Sequence, residues 1–255
     1  MDQFSRSALL IGRDGVERLS RVKVALFGVG GVGGYVAEAL VRSGVGTVDL
    51  YDPDAVALTN LNRQIIALHS TLGKSKVEVM AQRLRDINPA LRVNAYPLFY
   101  LPENADQVDL SAYDYIADAI DTVTAKLDLI QRAYRLRVPI ISAMGAGNRM
   151  NPAQVRVGDI FETQNCPLAR IMRKEMRKRG IPSLRVAYST EEALVPLQEE
   201  AALLKAETAA SDAPRRDTPG SMMFVPAAMG LAMAAAIVRD LLNASDRKTK
   251  NPEKP

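Results

Sequence analysis

Residues 28 to 33 read GVGGVG, directly after the apolar run Val22–Phe27 and at the head of a helical pattern over Gly31–Ser43. The spacing Gly28-x-Gly30-x-x-Gly33 is a phosphate-cradling fingerprint. The first glycine permits a sharp turn out of a strand, the second lets backbone approach a pyrophosphate, and the third lets the helix pack closely on the sheet. The helix start adds free N–H groups that face an anion. Asp52 follows about 20 residues past Gly33, where a carboxylate can accept from ribose hydroxyls. These features specify a nucleotide and fit NAD and ATP alike.

The residues beyond Asp52 separate the two. YDPDAVALTNLNRQ sets Asp54, Asn60, Asn62, Arg63 and Gln64 past the ribose position, and GKSK brings Lys74 and Lys76 to the start of another helix. Hydride transfer has little use for cations around phosphate, whereas phosphate cleavage or adenylation requires them. Arg63 and Lys76 can neutralise charge developing on phosphates, and Asp54 or Asp121 can hold a magnesium ion. Taken singly, Arg63 also reads as a surface ion pair and Lys76 as a solvated helix residue. Taken together they favour ATP.

Other reactive residues are scarce. His69, the one histidine, sits in the polar loop IIALHSTLG and reads as structural or solvent-exposed. Cys166, the one cysteine, precedes the basic helix Pro167–Lys178 in QNCPLAR and reads either as inert or as an activated thiol. In that helix Arg170, Arg173, Lys174, Arg177 and Lys178 share one face, with Leu168, Ile171, Met172 and Met176 on the other. A cationic stripe of this kind suits an RNA backbone, and equally suits water.

The elements that must position these groups alternate. Strands are expected at Val22–Phe27, Thr47–Tyr51, Arg92–Pro97, Tyr113–Ile120 and Val138–Ser142, with helices at Gly31–Ser43, Lys74–Ile87 and Val123–Arg137 between them. That rhythm predicts an α/β, Rossmann-like, mostly parallel sheet with helices on both faces, over residues 22–145. Residues 146–243 are expected to extend it with the strands Gln154–Asp159 and Leu184–Ser189 and a C-terminal helix at Pro226–Asn243. Within that extension 199–218 reads as a weakly helical, mobile excursion, and 244–255 as a disordered tail, all in one domain of 255 residues.

The string GVGGVGGYVAEALVRSGVGTVDLYDPDAVALTNLNRQ, followed by LGKSKVEVM, INP and DAIDT, resembles the E1-like activating enzymes, which adenylate a carboxylate with ATP. FSRSALLIG, GAGN, DIFETQNCPLARIMRKEMRKRGI, YSTEEALVP and GSMMFVPAAMGLAMA are similar to the branch of that superfamily that dehydrates threonylcarbamoyladenosine in tRNA. The resemblance, from Phe4 to Asn243, implies that Gly28, Gly30, Gly31 and Gly33 line the ATP phosphates and that Asp52 takes the ribose, with Asp54 beside it. It implies that Asn60, Arg63 and Lys76 face the triphosphate, that Asp121 lies near Mg2+, and that Arg6 reaches a partner subunit's site in a homodimer. A monovalent cation and a cysteine-desulfurase-type sulfur-transfer partner are further candidates. The implied reaction activates the threonyl carboxylate as an acyl-adenylate, after which an internal nucleophile closes a ring. Such chemistry supplies its own nucleophile at high effective concentration and needs neither a catalytic thiol nor a histidine. Adenylation of a small sulfur-carrier protein's C-terminus is the alternative, and an NAD-linked oxidoreductase or nucleotide-sensing module is a third.

Composition narrows the class. With 33 Lys+Arg against 29 Asp+Glu the net charge is only +4, too small by itself to demand a polyanionic partner. One cysteine and one histidine exclude a disulfide framework and a clustered Cys/His zinc site, and suit a reducing cytoplasm. The N-terminal MDQFSRSALLIGRDG has no sustained apolar core and is not expected to act as a signal peptide. Met222–Val238 lacks charge but is rich in alanine and holds Pro226 and Gly230, so a buried core helix is expected rather than stable membrane insertion.

Overall fold

The computed structural model describes residues 2–208 and 219–249. In chain order the elements are α1 (Ser5–Ser20), β1 (Lys23–Phe27), α2 (Gly33–Arg42), β2 (Thr47–Tyr51), α3 (Lys76–Ile87), β3 (Arg92–Tyr96), β4 (Tyr115–Asp118), α4 (Val123–Leu136) and β5 (Ile140–Ala143). They continue with β6 (Val155–Asp159), α5 (Pro167–Lys178), β7 (Arg185–Ser189), α6 (Gln198–Thr208) and α7 (Phe224–Thr249). The strands form one seven-stranded sheet in the order β3-β2-β1-β4-β5-β7-β6, parallel except where β6 returns antiparallel to β7. This is the α/β, Rossmann-like architecture expected from the alternation of strands and helices.

Central strands covered on both faces read as near-continuous apolar runs. In β1, Val24, Ala25, Leu26 and Phe27 are all 0% exposed. Val24 and Leu26 join Val36, Leu40, Met80 and Leu84 in the core beneath α2, α3 and α7. Ala25 and Phe27 point the other way, into a cluster with Ile116, Leu129 and Ala133 beneath α4. Farther along that face, Met172 and Met176 of α5 pack with Ile130 and Val186.

The long apolar segment forms α7, and among the described residues it is the one helix long and apolar enough to cross a membrane. Its Met229, Met233 and Ile237 are fully buried in the core shared with α2. Gly230 sets the closeness of that packing, because a Cβ there would stand 2.5 Å from the Val32 carbonyl oxygen.

Two features depart from the sequence-based expectation. The helix α1 has no counterpart in it, because its pattern is broken at Gly12, whose φ of 72° interrupts the helix. Second, the tail expected to be disordered from residue 244 continues α7 to Thr249. SDRKT contains no helix breaker, so nothing in it ends the helix. Residues 250–255 of that tail lie outside the described residues. The helix α6, from Gln198 to Thr208, overlaps the weakly helical excursion expected over 199–218, of which 209–218 lies outside the described residues.

Substituting Gly230→Ala is expected to cost about 1–3 kcal/mol by urea unfolding, because the added methyl meets backbone rather than a movable side chain. Arg239→Ala, on the exposed side of α7, is expected to stay within about 0.5 kcal/mol of the parent.

Candidate functional site

Strand order reverses between β1 and β4, and in open α/β sheets the ligand crevice forms at that point, beyond the strands' C-terminal ends. A cavity of about 720 Å³ opens there. Its floor is the loop Gly28–Val32, one side is the segment after β2, and the other is Ala119–Thr122 after β4. Phe27, Tyr51 and Tyr100 line one end, with Phe27 stacked on Tyr51 at 4.6 Å and edge-on to Tyr100 at 5.0 Å. A planar base fits such a wall.

The glycines divide their work. Gly28 turns the chain out of β1 with φ of 90°. A Cβ on Gly33 would lie 1.8 Å from the Gly28 carbonyl oxygen, so Gly33 lets the first turn of α2 close onto the loop from behind. Gly28, Gly30 and Gly31 line the cavity; Gly33 supports them without lining it, a correction to its expected place against the phosphates.

Asp52 is 6% exposed, and both its oxygens are engaged by backbone. Its Oδ2 accepts from the Val29 N–H at 2.6 Å and its Oδ1 from the Asp54 N–H at 2.9 Å, so the carboxylate ties the glycine loop to the segment after β2. Burial raises its carboxyl above the usual carboxylate range, with the Lys76 charge pulling the other way. Each oxygen keeps a second lone pair for a ligand hydroxyl.

The segment from Asp54 to Lys76 closes on itself. The Lys76 N–H donates to the Asp54 carbonyl at 2.9 Å, and the buried Lys76 Nζ pairs with Asp54 Oδ2 at 2.7 Å. Between them the N–H groups of Arg63 and Gln64 donate to the Asn60 carbonyl. One helical turn therefore carries Asn60, Arg63 and Gln64 to the cavity at spacings i, i+3 and i+4. Asn60 Oδ1 accepts from the Ala57 N–H at 3.1 Å. Arg63 donates to the Thr59 carbonyl at 2.7 Å and to Asn62 Oδ1 at 3.0 Å, and no carboxylate among the described residues pairs with it. Burial lowers its pKa, yet a guanidinium stays charged, so it remains an uncompensated cation at the cavity wall.

Behind Asp121 stands a network that sequence reasoning did not identify. Asp118, Lys126 and Ser142 are each 0% exposed. Lys126 Nζ donates to Asp118 Oδ2 at 2.7 Å, to Ser142 Oγ at 3.0 Å and to the Ala143 carbonyl at 3.0 Å. The Ser142 hydroxyl donates to Asp118 Oδ2 at 2.6 Å, and the Ile120 N–H donates to Asp118 Oδ1 at 3.1 Å. The available signal was a lysine inside the apolar stripe Ala125, Leu127, Leu129, Ile130 of α4. The network fixes the loop that exposes Asp121, whose Oδ1 accepts from the Thr122 hydroxyl at 3.4 Å. Among the described residues no group of three or more His, Cys, Asp or Glu forms a metal-ligand cluster.

The remaining expected residues lie elsewhere. Arg6 is exposed on α1 and does not line the cavity of its own chain. His69 is exposed. Cys166 is 5% exposed and caps α5, its Sγ accepting from the Ala169 N–H at 3.5 Å, away from the cavity. On α5 the buried side is Ala169, Met172 and Met176, while Ile171, expected there, is 49% exposed. Arg173, expected to be a free cation, turns inward to the Thr163 carbonyl and hydroxyl, because its position borders the buried side. Lys178 pairs with Glu175 at 2.9 Å, and Arg177 lies over the Phe161 ring at 5.2 Å. Arg170 and Lys174 are exposed without an acidic partner among the described residues.

Comparison with known proteins finds relatives along nearly the whole chain. The profile of the ThiF family matches residues 4–254. The tRNA threonylcarbamoyladenosine dehydratase of Bacillus subtilis is 41% identical over 243 residues, 95% of each chain. The solved structure of the E. coli tRNA N6-threonylcarbamoyladenosine dehydratase, TcdA, in complex with ATP superposes with a TM-score of 0.83 at 31% identity, covering 96% of both chains. A sulfur carrier protein adenylyltransferase from Thermus thermophilus is 36% identical over 143 residues, only 55% of this chain.

Replacing Lys126 by Met is expected to lower stability by about 3–5 kcal/mol in urea, since Asp118 is left buried without a counter-charge. Adding Asp118→Leu to that variant is expected to restore more than half of the loss.

Proposed function

The chain belongs to the ThiF family, and from that premise we propose that it is an ATP-dependent dehydratase of threonylcarbamoyladenosine in tRNA. A threonyl carboxylate oxygen attacks the α-phosphorus of ATP and pyrophosphate departs. A nucleophile of the same modified base then attacks the acyl carbon and AMP departs, for net loss of one water. The observation that carries this reading is the cavity itself, a glycine cradle at a helix start, flanked by the uncompensated Arg63 and by Lys76. Cations so placed suit the charge of a triphosphate under attack and have no task in hydride transfer.

In this reading Gly28, Gly30 and Gly31 cradle the phosphates and Asp52 orients the ribose. Asn60 contributes its free amide nitrogen, while Arg63 and Lys76 stabilise the charge that grows at the α-phosphate and on the leaving pyrophosphate. Asp54 holds the Lys76 ammonium in place. Asp121, with its carboxylate uncommitted, suits magnesium bound in its usual manner, through one or two carboxylates with phosphates and waters completing the shell. A bound magnesium ion would neutralise charge on the phosphates.

A homodimer accounts for Arg6. The same helix exposes Leu9 at 85% and Leu10 at 88%, an apolar edge that a second copy would cover while Arg6 reaches its cavity. On α5 the tRNA backbone would meet Arg170, Lys174 and Arg177, with Arg173 and Lys178 serving the helix itself. A sulfur-relay partner would find the chain's one thiol buried as a helix cap. Action on tRNA would put the activity in the cytoplasm.

Incubation with ATP and tRNA bearing threonylcarbamoyladenosine, followed by mass spectrometry of the nucleosides, is expected to show loss of the mass of one water. Recovery of unchanged nucleoside, with pyrophosphate released instead on addition of a carrier protein, would refute the assignment. The double substitution Arg170→Ala, Lys174→Ala is expected to weaken tRNA binding, to reduce its salt slope by about one for each phosphate no longer neutralised, and to leave ATP affinity unchanged.

A further inference from the structure

The turn Asn60–Gln64 brings three side chains to the cavity, and the reaction as described uses Asn60 and Arg63 alone. Gln64 is the third. It is 7% exposed, and its Oε1 is buried with no hydrogen-bond partner among the described residues. A buried carboxamide oxygen left unpaired costs about 1–3 kcal/mol, and folded chains retain few such groups without a use for them.

The other end of the same amide supplies that use. Gln64 Nε2 lies 3.8 Å from the position a Cβ on Gly30 would occupy, and no other heavy atom outside the neighbouring residues comes within 4 Å of that point. The space over Gly30 is therefore open apart from one amide nitrogen, which donates to no acceptor among the described residues. At the next glycine the corresponding point meets Pro226 Cβ at 3.4 Å and Arg63 Cγ at 3.7 Å. The same turn thus lies against both glycines, with the stem of Arg63 beside Gly31 and the amide of Gln64 over Gly30.

We propose that Gln64 is a nucleotide-contacting residue whose Nε2 donates to a phosphate oxygen seated over Gly30. This rests on the adenylation reading above. The neutral amide supplies direction without charge: it fixes the rotation of the phosphate for in-line attack and leaves charge balance to Arg63 and Lys76. Its oxygen is turned into the protein because the nitrogen is needed at the cavity, and the orphaned Oε1 is the trace of that choice.

The test compares the parent with Gln64→Leu and Gln64→Glu, measuring thermal unfolding, ATP binding by calorimetry without tRNA, and pyrophosphate release with modified tRNA. Gln64→Leu is expected to unfold at or above the parent's temperature, since an unpaired polar atom is removed, while ATP binding weakens about tenfold. Gln64→Glu is expected to bind ATP more weakly still, because a carboxylate would face phosphate. Gln64→Met replaces Leu should the branched side chain disturb folding. Parental ATP affinity in the Leu or Met variant would overturn the proposal. ATP binding by the Glu variant as tight as the parent's would overturn the donor assignment, by showing that the oxygen faces the ligand. A parent that binds ATP yet releases no pyrophosphate with modified tRNA would refute the adenylation reading instead, and the binding comparison would still decide the role of Gln64.

Discussion

The fully buried pair Asp118–Lys126 holds the switch point of the sheet together. Two charges withdrawn from water carry a desolvation penalty of several kcal/mol each, and only complete hydrogen bonding offsets it. Here the ammonium has three acceptors, and the carboxylate has three donors from α4, β5 and the loop beyond β4. That completeness makes the arrangement rigid as well as tolerable, since moving any of the three elements would strand a buried charge. The wall of the cavity that carries Asp121 is hung from this pair.

The opposite wall uses a simpler device. Asp52 accepts from two backbone N–H groups, and the strap from Asp54 to Lys76 returns to pair with its own beginning. The cavity-lining groups of this wall therefore rest on backbone-anchored turns. A site that stabilises developing charge works best when its dipoles need no reorganisation during reaction.

Much of this was legible in the sequence because its signals are local. The glycine spacing and the apolar runs of β1 and β2 each act over a few positions, so the strands and the glycine loop could be placed from local pattern. What could not be read depends on partners distant in sequence. Lys126 resembles any helix lysine until Ser142 and Asp118 are brought beside it. Arg173 falls on the cationic side of a helical wheel, but the Thr163 carbonyl is within its reach and redirects it. The apolar periodicity of α1 is broken at Gly12, where the helix itself is kinked, and the pattern on either side is too short to declare it. Gln64 reads as one more polar residue in a loop, and only its burial distinguishes it.

The contact between Gly230 and Val32 joins α7 to the glycine turn after β1, across most of the chain. A ribosome releases the glycine cradle early and α7 last, and domains fold as units as they emerge. Until α7 arrives, the back of α2 remains uncovered and the cradle has no brace. Nascent chains would therefore be poor nucleotide binders, and competence would be acquired in one late step, when the C-terminal helix docks.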